Sequence, residues 1–159
     1  MTEDLTAAAA RVLAACQAKG IKLATAESCT GGLVAAALTA IAGSSTVLER
    51  GFVTYSNEAK AEMLGVPMVL IQTHGAVSEA VARAMAEGAL THSHAQRSIA
   101  ITGIAGPGGG SADKPVGLVH FAAASVGGMT IARHEIFSGD RDAVRHQAAL
   151  TALKMVGQL

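Results

Sequence analysis

The stretch Ile21-Lys22-Leu23-Ala24-Thr25-Ala26-Glu27-Ser28-Cys29-Thr30-Gly31-Gly32-Leu33-Val34-Ala35-Ala36-Ala37-Leu38 decides the fold class. Its first part, Ile21 to Ala26, is a short apolar run that alternates at Ile21, Leu23 and Thr25, which predicts a strand. Glu27-Ser28-Cys29 ends that strand. Thr30 is placed to cap a helix opening at Gly31-Gly32, and small apolar residues carry the helix to Ala42, where Gly43 stops it. A strand, a tight turn and a helix in direct succession form the opening unit of an α/β fold.

Outward from this unit the alternation continues. Upstream, Leu5, Ala8, Ala9, Val12, Leu13 and Cys16 recur at helical spacing from Asp4 to Lys19, and Gly20 closes the helix. Downstream, Ser44-Ser45-Thr46 reads as a loop, Phe52 to Tyr55 as a strand, and Asn57 as the cap of a short helix from Glu58 to Leu64 that ends at Gly65 and Pro67. Met68 to Thr73 is ambiguous. Ser78 caps a helix to about Leu90, and Ser98 to Thr102 is a compact strand that runs into the glycine-rich loop Gly103 to Ser111. Val116 to Ser125 and Met129 to Phe137 read as strands joined through Val126-Gly127-Gly128, a hairpin signal, and Asp140 caps a last helix to about Val156. The expectation is one α/β domain over residues 1–159, three layers deep (α/β/α), with a mixed sheet and a late hairpin.

Composition bounds the function classes. The chain has 159 residues, 50% of them hydrophobic, and its 12 basic side chains balance 12 acidic ones. This excludes a disordered tail and gives no cationic surplus for nucleic acid. Cys16 and Cys29 are too few for a disulfide framework, and the N-terminus lacks a basic start and an apolar run, so a cytoplasmic setting is expected. The uncharged stretch from Ser28 to Leu48 is broken by glycine, serine and threonine, and reads as a buried helix between loops rather than a membrane span. The apolar surplus in a small domain suggests self-association, as a dimer or tetramer.

Ligands of α/β sheets collect at loops leaving the C-terminal ends of strands. Here the polar, glycine-rich loops are Glu27 to Gly32, Tyr55 to Lys60 and Gly103 to Lys114. Neither a dinucleotide fingerprint nor a P-loop is present, because the glycines after Gly103 lead to no helix and no Gly-Lys-Ser/Thr. Tyr55, the only tyrosine, lies with Lys60 and the Gly43-Ser44-Ser45 turn in a short span of chain. A serine needs a base to attack an amide, and a partly buried lysine with a lowered pKa can be that base. Among the histidines, His92 and His94 have no third ligand nearby in sequence and read as a solvated helix end. Cys29 reads as a small buried residue rather than a nucleophile.

Thr25-Ala26-Glu27-Ser28-Cys29-Thr30-Gly31-Gly32, Ala42-Gly43-Ser44-Ser45, Gly51-Phe52-Val53-Thr54-Tyr55-Ser56-Asn57-Glu58-Ala59-Lys60, His74-Gly75-Ala76-Val77-Ser78, Gly103-Ile104-Ala105-Gly106-Pro107, Lys114-Pro115-Val116-Gly117 and Gly139-Asp140-Arg141 together form an ordered motif series. The series resembles that of the CinA C-terminal domain family, and the resemblance runs from about Leu5 to Val156. Members of this kind are nicotinamide-nucleotide amidohydrolases, which convert nicotinamide mononucleotide and water to nicotinate mononucleotide and ammonia in pyridine-nucleotide salvage. The larger members carry a further N-terminal domain, so the chain is similar to the stand-alone amidase form.

The resemblance implies Ser45, Tyr55 and Lys60 as the catalytic set. In this scheme Ser45 attacks the carboxamide, neutral Lys60 takes its proton, and Tyr55 passes that proton to the departing ammonia. Ser28 is the rival nucleophile. It sits at a strand-to-helix turn, but its surroundings, Ala26-Glu27-Ser28-Cys29-Thr30, lack the Gly-x-Ser-x-Gly of a nucleophile elbow. Ser28 and Thr30 are therefore read first as substrate-binding or site-shaping hydroxyls. Glu27 reads as a ribose acceptor or an orienting group, and Gly31, Gly32, Gly103, Gly106 and Arg141 as partners for phosphate or oxyanion. Arg145 reads as a surface charge. No metal and no organic cofactor is called for, and a non-catalytic nucleotide-sensing or partner-binding module is the alternative reading.

Overall fold

The computed structural model describes residues 1–159. Five strands form one mixed sheet, β1 (Leu23–Glu27), β2 (Leu48–Val53), β3 (Arg97–Gly103), β4 (Leu118–Ser125) and β5 (Ile131–Ile136), in the order β2-β1-β3-β4-β5. β1 runs parallel to both β2 and β3, whereas β4 and β5 are antiparallel additions. The carboxyl ends of β1, β2 and β3 therefore open on one rim of the sheet, and that rim holds the site.

Six helices cover the two faces: α1 (Glu3–Lys19), α2 (Leu33–Thr39), α3 (Asn57–Leu64), α4 (Met68–His74), α5 (Glu79–Thr91) and α6 (Arg141–Gly157). The sheet is asymmetric in side-chain size. One face presents Leu23, Ile99, Ile101, Val119 and Phe121 to α1, α2 and α6. The other presents Ala24, Ala26, Ala100, Ala122 and Ala124 to Val81, Ala82, Met85, Ala86 and Ala89 of α5. Small side chains on both partners let α5 lie close to the strands, and the Ser98 hydroxyl donates across that gap to Ala86 O at 2.6 Å. No helix is long and apolar enough to cross a membrane.

The three-layer architecture agrees with the sequence reading, and the differences are local. β2 starts at Leu48 rather than Phe52 and ends at Val53. Its first residues, Leu48-Glu49-Arg50-Gly51, are too polar to announce a strand, yet an edge strand tolerates them. The ambiguous segment after Pro67 is the helix α4. Ser56, not Asn57, caps α3 by accepting from Ala59 N. Thr30 does not cap α2, which begins at Leu33 behind Gly32; Glu27 does so instead.

Candidate active site

Lys60 is the least expected side chain of the interior. It lies on the first turns of α3 and is 1% exposed. Its Nζ sits 3.0 Å from Ser28 Oγ, 2.9 Å from Thr54 O and 3.1 Å from Tyr55 O. Burial lowers its pKa from the usual lysine range, because the charged ammonium loses its hydration. The parallel register of β1 and β2 pairs Glu27 with Val53, so the first residues beyond each strand, Ser28 and Thr54, leave the sheet side by side. The α3 turn that follows then brings Lys60 back over them. Ser28 is 8% exposed, and its own N–H is held by Ile101 O of β3 at 2.9 Å. No residue other than glycine has a positive φ, so Ser28 does not occupy a strained elbow.

A cavity of about 190 Å³ opens onto this pair. Cys29, Tyr55, Asn57, Val77, Thr102 and Arg141 line it with Ser28 and Lys60. Tyr55 stands at the mouth, 62% exposed, and its hydroxyl accepts from Arg141 Nη2 at 3.1 Å. Arg141 also donates through Nη1 to Gly106 O at 2.8 Å, which ties the glycine-rich loop to the start of α6. Cys29 is buried, and desolvation pushes its thiol up to about 11.

The structure brings Ser28, Tyr55, Lys60, Gly103 and Arg141 together around this cavity. Ser45 is elsewhere. It is exposed in the 3-10 turn Ser44–Thr46, which precedes β2 at the opposite rim of the sheet. The whole of β2, roughly 20 Å for a strand of this length, separates that turn from Lys60.

Glu27 is fully buried and faces α2 rather than the cavity. Its Oε1 accepts from Thr30 Oγ1 at 2.7 Å and Val34 N at 2.9 Å, and its Oε2 accepts from Ala35 N at 3.1 Å. Thr30 is thereby turned inward as well. Gly31 and Gly32 take left-handed φ values of 61° and 105°, which allow the chain to double back from Ser28 into α2. Arg145 is not a free surface charge: its guanidinium donates to Cys29 O at 3.1 Å and Thr30 O at 3.2 Å, and so clamps the same turn from α6.

Gly108, Gly109 and Gly110 line a separate shallow depression. Asn57, Val77 and Thr102 are cavity residues that the sequence reading left out. Thr102 carried a usable signal, since it stands at the carboxyl end of a parallel strand.

The family described as the CinA C-terminal domain matches residues 5–159, and the chain belongs to it. The chain is 58% identical over 144 residues to the nicotinamide-nucleotide amidohydrolase PncC of Escherichia coli (strain K12), covering 91% of this chain and 87% of that protein. It is also 53% identical over 162 residues to a putative competence-damage inducible protein of Symbiobacterium thermophilum, where the match takes up 37% of the longer protein. Among solved structures, the competence/damage inducible protein CihA from Agrobacterium tumefaciens superposes with a TM-score of 0.95 at 49% identity, covering 98% of this chain and 94% of that one.

Proposed function

We propose that the chain hydrolyses the carboxamide of nicotinamide mononucleotide to give nicotinate mononucleotide and ammonia, a step of pyridine-nucleotide salvage, with Ser28 as nucleophile and Lys60 as its base. The 3.0 Å contact between Ser28 Oγ and Lys60 Nζ carries this reading. A neutral lysine amine has two N–H donors and one lone pair. Thr54 O and Tyr55 O take the two donors, and the lone pair is left for the Ser28 hydroxyl proton.

As Oγ bonds to the carbonyl carbon, its proton passes to Nζ and the amide oxygen becomes an oxyanion. Collapse breaks the C–N bond, and the proton on Nζ goes to the leaving nitrogen, which departs as ammonia. Water then attacks the acyl carbon with Lys60 again as base, the C–Oγ bond breaks, and the proton on Nζ returns to Ser28 Oγ as nicotinate mononucleotide leaves. Tyr55 acts mainly by holding Lys60 through its backbone carbonyl, and its hydroxyl, with Arg141, forms the mouth. There the Arg141 guanidinium is suited to the substrate's phosphate. The amidohydrolase name of the Escherichia coli relative supports the substrate.

The test is ammonia release from nicotinamide mononucleotide by the purified chain and its variants, with acid-quenched single turnovers read by mass spectrometry. Ser28→Ala loses at least about a thousandfold in turnover and forms no covalent adduct. Ser45→Ala, at an exposed site, stays within about twofold of the parent. The reverse pattern returns the nucleophile to Ser45. Tight binding without ammonia release by the parent makes the chain a binding module.

A further inference from the structure

The two edges of the sheet are treated differently. At β2 the loop after α5 lies alongside: Arg50 Nη1 donates to His92 O at 3.0 Å, and His94 N donates to Glu49 Oε2 at 3.1 Å. Nothing covers β5. The hairpin that ends in it concentrates exposed apolar side chains, with Val126 67%, Met129 83%, Ile131 40% and Ile136 62% exposed. Its sequence, Ile131-Ala132-Arg133-His134-Glu135-Ile136, has no proline, and its charges are one Arg and one Glu two residues apart, which pair with each other along the strand and would exchange partners across an interface. An open edge of this kind is a template for another strand.

The backbone shows which groups are free. Ile104 N donates to Leu118 O on the β3 side, so Val119 turns toward β5 and bonds its partner Glu135. Phe137 N, which donates to Gly117 O, follows the same parity. The odd residues of β5 are therefore engaged with β4, and Ala132, His134 and Ile136 point their N–H and C=O groups outward.

We infer that β5 is the interface for a second copy of this chain, paired antiparallel across a two-fold axis at His134 to make one continuous sheet from two subunits. Charge selects this register. Centred on His134, Arg133 stands opposite Glu135 of the other copy and Glu135 opposite its Arg133, while Ala132 meets Ile136 and Ile131 meets Phe137. The neighbouring registers of the same parity set Arg133 against Arg133 or Glu135 against Glu135, and like charges directly opposite are destabilising. An isologous contact needs this self-complementarity.

The experiment is sedimentation velocity across a concentration series, with far-UV circular dichroism to confirm that each variant is folded. The parent chain is expected to be a dimer. R133E places only carboxylates at this edge and E135R only guanidinium groups, so each alone weakens the dimer by about tenfold or more. Mixed together, the two variants recover it as a heterodimer, and the double swap R133E/E135R recovers it as a homodimer. Ala132→Pro removes one outward N–H and no bond to β4, and gives a monomer. A monomeric parent, a dimer indifferent to R133E or to Ala132→Pro, or no recovery on mixing overturns the inference. The charge variants alone decide the matter if the proline variant does not fold.

Discussion

Lys60 is a cation-forming side chain that the fold has taken out of water, and its chemistry follows from that. Since burial lowers its pKa, the neutral form becomes available at less alkaline pH than for a free lysine. Only the neutral form has a lone pair for the Ser28 proton, so kcat/KM should rise with pH through the lowered pKa and level off above it. A pH–rate profile measures this, and a flat profile would remove Lys60 as the base. Lys60→Arg keeps the charge but cannot give up its proton, and is expected to be inactive at every pH. Cys29 behaves in the opposite way. With its thiol held up to about 11 it stays protonated near neutrality, so iodoacetamide should leave it unmodified at pH 7.5 in the folded protein and label it once the chain is unfolded.

The lysine and tyrosine of the site were readable in the sequence as a rare pair at a strand-to-helix turn. The serine beside Lys60 was legible only as a rival nucleophile and a binding hydroxyl, because nearness along the chain favours Ser45 and misleads when a strand intervenes. Ser45 is close to Tyr55 in sequence but lies at the other end of β2, whereas Ser28, 32 residues from Lys60, is brought beside it by the parallel register.

At the scale of elements, the turn between β1 and α2 is held from two sides. Glu27 satisfies the first free N–H groups of the helix from within, and Arg145 takes the carbonyls of Cys29 and Thr30 from α6. A carboxylate at a helix N-terminus is favourable, and here it is also buried. Glu27→Ala leaves two amides and the Thr30 hydroxyl without their partner, and should cost about 2 kcal/mol or more by denaturant unfolding. Wild-type stability in that variant would show the cap to be dispensable. This role was hidden in the sequence, where a Glu before Ser-Cys-Thr looks like a loop carboxylate; the return of α2 over the end of β1 turns it inward. The helix α4 is ambiguous in the sequence for a different reason. It is short, and Pro67 at its start provides no side-chain cap.

At the scale of the whole molecule, the alternation of helix and strand was legible because most turns are punctuated by glycine, and so was the three-layer class. Less legible was how closely one layer approaches the next. Gly88 on α5 shows the limit: a Cβ there would stand 2.0 Å from Leu64 O, a backbone atom of α3. Gly88→Ala gains up to about 1 kcal/mol of helix propensity, but the helix must move off its neighbour, which costs about 1–3 kcal/mol. A contact that short puts the cost at the upper end, so the melting temperature should fall; an increase would mean that α3 and α5 can separate freely.

The near absence of aromatic residues has one more consequence. With no tryptophan and Tyr55 as the only tyrosine, the ultraviolet emission of the folded protein comes essentially from one ring. That ring stands at the cavity mouth with its hydroxyl on Arg141. The molecule thus contains its own optical reporter: whatever enters the cavity perturbs the only strong fluorophore, and occupancy can be followed without attaching a label.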